Sequence, residues 1–341
     1  MAISTATGPV STTSTSSCAE AAPRTGVLLA NLGTPASPSV ADVRAYLREF
    51  LGDPAVVRAP RWIWWFVLRG IILPFRAPRS AALYRRIWSP SGSPLLVHSR
   101  AQAQALAGRF GAGTPVALGM RYGAPSLESA LRELARAGCA RVLLVPLFPQ
   151  ASSSTTGSLE ARAAELARAQ GLELATLPPF HSHPAYISAL ARSVREALSA
   201  AGTPRHVFSF HGLPQAYVEA GDPYLEHCRA TSRLLAAELG LPQGRWSVAF
   251  QSRFGPQRCL QPYLEPHLAE LAADEAQVVL ATPGFLADCL ETLEELGLRA
   301  RERFREAGGR ELVLVPCLNS RPDFIAALER IVREHLGGLG W

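Results

Sequence analysis

Lysine is absent from this chain; all 34 basic residues are arginine. That excludes Schiff-base chemistry, a pyridoxal phosphate anchor and a Gly-Lys-Ser phosphate loop. Cysteine is sparse, at positions 18, 139, 228, 259, 289 and 317, with no Cys-x-x-Cys pair. A zinc knuckle or compact iron–sulfur motif is therefore not expected. Scattered thiols suit a reducing cytoplasm. No apolar run reaches membrane-spanning length. Residues 1–23, rich in Ser, Thr and Ala, lack the basic start and apolar core of a signal peptide, and read as a disordered tail. The first strand is followed by Asn31-Leu-Gly-Thr-Pro35 and not by Gly-x-Gly-x-x-Gly, which argues against a nicotinamide enzyme. The net charge of +6 is mild and the arginines are scattered, so no nucleic-acid partner is expected.

What is present is alternation. Hydrophobic residues make up 48% of 341, enough for two domains with cores. Apolar runs at 26–31, 116–120, 142–148, 172–177, 206–210, 247–250, 277–281 and 312–315 read as buried strands. Helical patterns fill most gaps, near 97–110, 126–138, 158–170, 184–200, 223–240, 288–307 and 322–336. A helix after the first strand is expected to be capped by Ser37 with Pro38 as its first residue, and to bury Val40, Val43, Tyr46, Leu47, Phe50 and Leu51. The class is α/β with parallel sheets covered by helices, as one barrel or two Rossmann-like lobes. Residues 52–96 fit neither as a simple crossover and read as an insertion. Within it, Arg61-Trp-Ile-Trp-Trp-Phe-Val-Leu-Arg-Gly-Ile-Ile-Leu-Pro-Phe75 is either a buried helix or a lip for an apolar ligand or membrane surface.

Several strand ends carry chemistry. The apolar strand at 277–281 runs into Pro283-Gly284 and a helix expected from Asp288, with Asp288, Glu291 and Glu295 along one face. Such a carboxylate file repels itself unless protons or a cation relieve it. The bland alternative is a capping box between Asp288 and Glu291. His211 closes the strand Val207–Phe210 and precedes Gly-Leu-Pro214, so its imidazole points into a crevice where it accepts a proton or binds a metal. Ser152 to Thr156 form a hydroxyl-rich loop, an anion-binding rim or a helix cap. Arg121-Tyr122 ends another strand, and the insertion adds Tyr84-Arg85-Arg86 and Ser91-Gly92-Ser93-Pro94, a hydroxyl–guanidinium cluster suited to substrate carboxylates.

Taken in order, Leu29-Ala-Asn-Leu-Gly-Thr-Pro35, Tyr84-Arg-Arg, Arg121-Tyr122, Ser154-Thr-Thr-Gly157, Phe208-Ser-Phe-His-Gly-Leu-Pro214, Gly221-Asp-Pro-Tyr224, Gln251-Ser-Arg-Phe-Gly-Pro256 and Gly284–Glu295 resemble the ferrochelatase family, in its Gram-negative bacterial form. The resemblance spans about residues 25–335. It implies two Rossmann-like lobes, 24–175 and 176–336, with the active-site cleft between them and residues 52–96 as a lip. It implies insertion of Fe(II) into protoporphyrin IX in haem biosynthesis. By the same resemblance His211 and Glu291 are the catalytic pair that meets the metal. Asp288 and Glu295 are the conduit for protons or metal, and Leu32, Tyr84, Ser93, Arg121 and Tyr122 line the porphyrin pocket. Fe(II) is a substrate and no cofactor is tightly bound. Cys259 stands where many relatives carry Trp. The position of a cluster-binding loop cysteine is Ser153 and no C-terminal cysteine triad is present, so no [2Fe–2S] cluster is expected. The implied location is the cytoplasm, with peripheral contact at the inner membrane. Two other readings share features of this sequence: a tetrapyrrole carrier without turnover, and a chelatase for another tetrapyrrole or metal.

Overall fold

The computed structural model describes residues 23–57, 59–198, 204–252 and 257–341. The expected tail therefore lies outside the described residues, apart from Pro23. So do Arg253 to Pro256 of the Gln251–Pro256 segment.

Eight strands form two parallel sheets. The first contains β1 (Thr25–Gly33), β2 (Val116–Tyr122), β3 (Arg141–Pro146) and β4 (Glu173–Thr176), in the order β2-β1-β3-β4. The second contains β5 (Arg205–His211), β6 (Trp246–Gln251), β7 (Gln277–Ala281) and β8 (Glu311–Leu314), in the order β6-β5-β7-β8. Among the described residues the topology thus repeats in two open sheets and does not close into a barrel. Leu29 pairs with Leu118 and Val145, and Phe208 with Val248 and Ala281. The continuous apolar runs of the central strands β1, β3, β5 and β7 follow from burial on both faces. Alternation along β1 divides its side chains between two cores: Val27 and Leu29 face one, Leu28 and Ala30 the other.

The helices are α1 (Val40–Gly52), α2 (Arg61–Val67), α3 (Leu73–Ile87), α4 (Pro94–Phe110), α5 (Leu127–Arg136), α6 (Ser158–Ala169), α7 (Pro184–Ala197), α8 (Gln215–Glu219), α9 (Tyr224–Leu239), α10 (Leu264–Asp274), α11 (Arg301–Glu306) and α12 (Pro322–Leu339). The largest core combines one face of each sheet with α4, α7, α9 and α12. Helix α12 packs on both α4 and α7, so the C-terminal end of the chain ties the two halves together.

Two helix starts differ from expectation. Helix α1 is capped by Ser39, whose hydroxyl accepts from Asp42 N–H at 3.1 Å. Ser37 instead donates to the Asp42 carboxylate, because a second serine two residues on already fills the cap. The helix expected from Asp288 is a π-helix over Glu291–Ala300, continued by α11.

The insertion is not a buried core helix. Helix α2 buries no residue, and Trp62, Trp65, Phe66, Ile71 and Phe75 are exposed. Trp64 turns inward, with Nε1 donating to Leu51 O at 2.7 Å. Leu68, Leu73, Ala77 and Ala81 anchor the segment against Val43, Leu47 and Leu51 of α1. Among the described residues no helix is long and apolar enough to cross a membrane.

Candidate active site

The strand order places the site. In each sheet the chain steps from the first strand to one side and from the third to the other, so a crevice opens at the carboxyl ends of β1 and β3, and of β5 and β7. His211 ends β5, and the segment leading to Glu291 leaves β7. The chain segments that carry the two residues, 80 positions apart, therefore leave the sheet at the same switch point.

His211 is half-buried at the end of β5, beside Gln251 of β6. Its Nδ1 lies 2.8 Å from Gly212 O. A carbonyl only accepts, so in the neutral ring Nδ1 carries the proton and Nε2 keeps its lone pair. Gly212 is required by space: a Cβ there would lie 2.3 Å from Ser252 O. Tyr224, half-buried, donates to His211 O at 3.1 Å and fixes the strand end. Cys259 is buried behind this turn, where Leu260 N–H donates to Leu213 O at 2.9 Å. It does not form an exposed wall.

On the β7 side, the capping-box arrangement is absent. Asp288 N–H donates to Asn319 Oδ1 at 2.9 Å, not to Glu291. The Asp288 carboxylate accepts from Asn319 Nδ2 at 2.7 Å and from Thr292 Oγ1 at 3.0 Å. Glu291 is left half-buried at the start of the π-helix. The i→i+5 bonding widens each turn beyond that of an α-helix. A spacing of four then stays on one face and a spacing of three falls away. Glu291, Glu295 and Arg299 share that face, while Asp288 sits apart, bound to Asn319 and Thr292.

Glu295 accepts from Ser252 N–H at 3.0 Å and Ser252 Oγ at 2.5 Å. Burial raises its carboxyl above the ordinary value, and Glu291 adds to this; Ser252, Arg299 and His211 oppose it. Both candidate catalytic groups thus lie within electrostatic reach of Glu295. Beyond it opens a cavity of about 360 Å³ lined by Gln251, Ser252, Tyr263, Glu265, Glu295 and Arg299. Arg299 approaches Glu265, Glu294 and Glu295 at 3.9, 3.8 and 3.9 Å. Glu294 is buried and pairs with Arg86 of α3 at 2.7 Å, bridging the insertion to the second sheet's helix.

The N-terminal wall is built on the β1 end. Leu32 is half-buried there. Gly33 has φ +115°, and a Cβ would fall 1.8 Å from Tyr122 O, so only glycine makes this turn. Ser93, the N-cap residue of α4, is buried with its hydroxyl 2.7 Å from Thr34 Oγ1. Tyr84 is buried beside Trp88. Burial and then Glu291 raise the Tyr84 phenol, and Glu291 also acts on Tyr46. The glutamate therefore lies within electrostatic reach of phenols of the other half of the molecule.

Arg121 and Tyr122 do not stand open. Both are bound to Asp53, at the end of α1: Arg121 Nη2 pairs with Oδ2, and Tyr122 OH donates to it at 2.8 Å. Sequence reasoning missed Asp53, a lone acid with no pattern around it. The hydroxyl loop is likewise engaged. Asp222 accepts from Ser152 Oγ at 3.1 Å and from Ser153 N–H and Oγ at 2.8 Å each, clamping the loop to the second half. Ser152, Ser153 and Asp222 help line a separate cleft of about 510 Å³. Among the described residues, no three His, Cys, Asp or Glu side chains converge as a metal cage.

Comparison with known proteins agrees with this architecture. A Ferrochelatase family profile matches residues 24–336. The Ferrochelatase of Aromatoleum aromaticum is 50% identical over 322 residues, covering 92% of this chain and 88% of that protein. That of Azoarcus sp. is 50% identical over 320 residues, with the same coverage of both chains. SirB from Bacillus subtilis, solved with Fe3+, shares the fold with a TM-score of 0.56 at 12% identity, covering 91% of this chain and 95% of that one. The chain belongs to the ferrochelatase family.

Proposed function

We propose that this enzyme inserts Fe(II) into protoporphyrin IX to form haem, with His211 and Glu291 as its chemical pair. The observation that supports the assignment of residues is that His211 ends β5 and Glu291 opens the π-helix after β7, both within electrostatic reach of Glu295 and neither consumed by capping. A free-base porphyrin holds two pyrrole protons on a flat ring. Metal entry requires both protons to leave and the ring to buckle. A cleft that favours the buckled shape lowers the barrier.

Fe(II) enters as the two pyrrole protons depart, so charge and atoms balance. The lone pair on His211 Nε2 accepts the two protons one at a time, because Nδ1–H is held by Gly212 O, and each is passed outward toward Glu295 before the next is taken. Glu291 meets the metal from the opposite side. An imidazole and a carboxylate suit Fe(II) without caging it, so the metal passes on to the four ring nitrogens. Glu295 extends the line from Glu291 toward the adjoining cavity and carries protons outward. Asp288 braces the π-helix in place of serving as conduit, since Thr292 and Asn319 engage its carboxylate. Leu32, Tyr84 and Ser93 frame the porphyrin. Arg121 and Tyr122 support that wall through Asp53.

The exposed Trp62, Trp65, Phe66, Ile71 and Phe75, with Arg61, Arg69 and Arg76 among them, form the lip. It rests on the inner membrane's cytoplasmic surface, aromatic rings at headgroup depth and guanidinium groups on anionic phosphates. No iron–sulfur cluster is needed; the Ser153 hydroxyl, at the loop position of a cluster cysteine, is bound to Asp222.

The test is purified protein with protoporphyrin IX and Fe(II) or Zn(II), followed by the Soret and Q-band change. Metalloporphyrin spectra are expected. Bound porphyrin without spectral change would support the carrier reading instead. Visible absorption of a [2Fe–2S] centre in the purified protein would overturn the cluster-free assignment.

A further inference from the structure

Gln102 is completely buried in α4, the helix that begins at the pocket residue Ser93. Its Nε2 donates to Leu286 O and Asn319 O, at 2.9 Å each. Both partners only accept, so the amide orientation is fixed by chemistry. Leu286 and Asn319 belong to the other half of the molecule, on the loops after β7 and β8. Asn319 has φ +47°, in the left-handed region, and its N–H donates to Leu286 O at 2.9 Å. Its side chain then binds Asp288 twice, receiving the N–H at 2.9 Å and donating to the carboxylate at 2.7 Å. Asp288 accepts from Thr292 Oγ1, which in turn accepts from Cys289 N–H at 3.0 Å. These bonds satisfy the backbone that opens the π-helix. Glu291 lies inside that turn.

We propose that Gln102 and Asn319 are positioning residues for metal insertion. Together they form a clamp that sets Glu291 relative to the porphyrin wall carried by α4. The inference rests on the reading of Glu291 as chemically active. Neither amide touches the reacting atoms. The clamp transmits the place of one half of the cleft to the carboxylate of the other. Loops after β7 and β8 lie beyond the strand ladder, so these side-chain bonds, with the backbone bond from Asn319 N–H to Leu286 O, hold the start of the π-helix.

The test uses Asn319→Gly, which keeps the left-handed backbone but removes the amide, and Gln102→Leu, which acts from the other half. Zinc insertion kinetics are measured beside hydrogen exchange of the 288–292 amides. Loss of supporting contacts to a metal-handling group typically lowers activity about 10–100-fold. A kcat loss of that size is expected in both variants, with porphyrin KM within about twofold. The 288–292 amides should exchange faster while β5 and β7 keep their protection. A kcat near wild type in either folded variant overturns the clamp. So does a kcat loss accompanied by an equal KM rise or by loss of protection in β5 and β7. If one variant fails to fold, the other decides. Glu291→Gln is the control. If it is inactive while Asn319→Gly is normal, only the clamp fails; if it is fully active, the reading of Glu291 fails.

Discussion

Asp53→Ala separates two roles for Arg121. In the structure the Arg121 and Asp53 side chains are 16% and 11% exposed, and Tyr122 OH and Arg121 share Oδ2. Arg121 Nε also donates to Ser158 Oγ at 3.2 Å. Removing the carboxylate strands a guanidinium and a phenol in a poorly hydrated place. Breaking a buried pair in this way costs about 3–5 kcal/mol. The residual exposure puts the expectation at the lower end, about 3 kcal/mol. At about 2 °C per kcal/mol, suited to a chain at or above 250 residues, the melting temperature should fall by about 6 °C. Replacing both partners, Asp53→Ala with Arg121→Met, should recover most of that loss. Porphyrin KM should rise in Asp53→Ala as the wall loosens. Thermal unfolding and zinc insertion kinetics on the two variants give both readouts. A loss below about 1 kcal/mol would mean the pair behaves as a solvated surface bridge and refute the reasoning. A lower porphyrin KM would show that Asp53 holds Arg121 back from substrate carboxylates.

His211→Ala and Glu291→Gln should each abolish most turnover and leave the melting temperature nearly unchanged, because the Asp288 N–H is satisfied by Asn319; a melting shift with normal turnover would return Glu291 to a structural role. Trp62→Ser with Phe66→Ser should weaken co-sedimentation with anionic vesicles and leave the fold intact, whereas Trp64→Ala should destabilise, since Trp64 bonds to Leu51 O; equal vesicle binding by the first variant would remove the membrane contact. The carboxyl of Glu295 is raised from 4.5 in the folded state. Its contribution to stability is therefore fully present below the unfolded value and lost as pH rises through the folded one. Glu295→Gln should flatten the fall in stability above about pH 4.5, and an unchanged pH–stability curve would show that Ser252 and Arg299 cancel the effect of burial.

Apolar runs bounded by turns located all eight strands; the central ones are unbroken because a parallel strand buried on both faces must be apolar throughout, while β4 and β8 at the sheet edges are only partly covered. The strand-end position of His211 was legible for the same reason, as was the apolar stripe of α1. The pairing order was not. Whether β5 lies between β6 and β7 depends on contacts far apart in sequence, and only that order puts His211 and the segment leading to Glu291 at one switch point. The carboxylate file was legible as composition but misassigned as geometry. Three-and-four spacing holds for an α-helix; the tertiary setting widens this one into a π-helix and hands Asp288 to Asn319. Asp53, Asp222, Gln102 and Asn319 carry no local signal at all. Each is a single polar residue whose meaning comes from a partner 31 to 217 positions away, and only folding brings such partners together. The tryptophan-rich segment was ambiguous for a related reason. An apolar sequence reports affinity for a nonaqueous surface, and the tertiary structure decided that this surface is not the protein's own core.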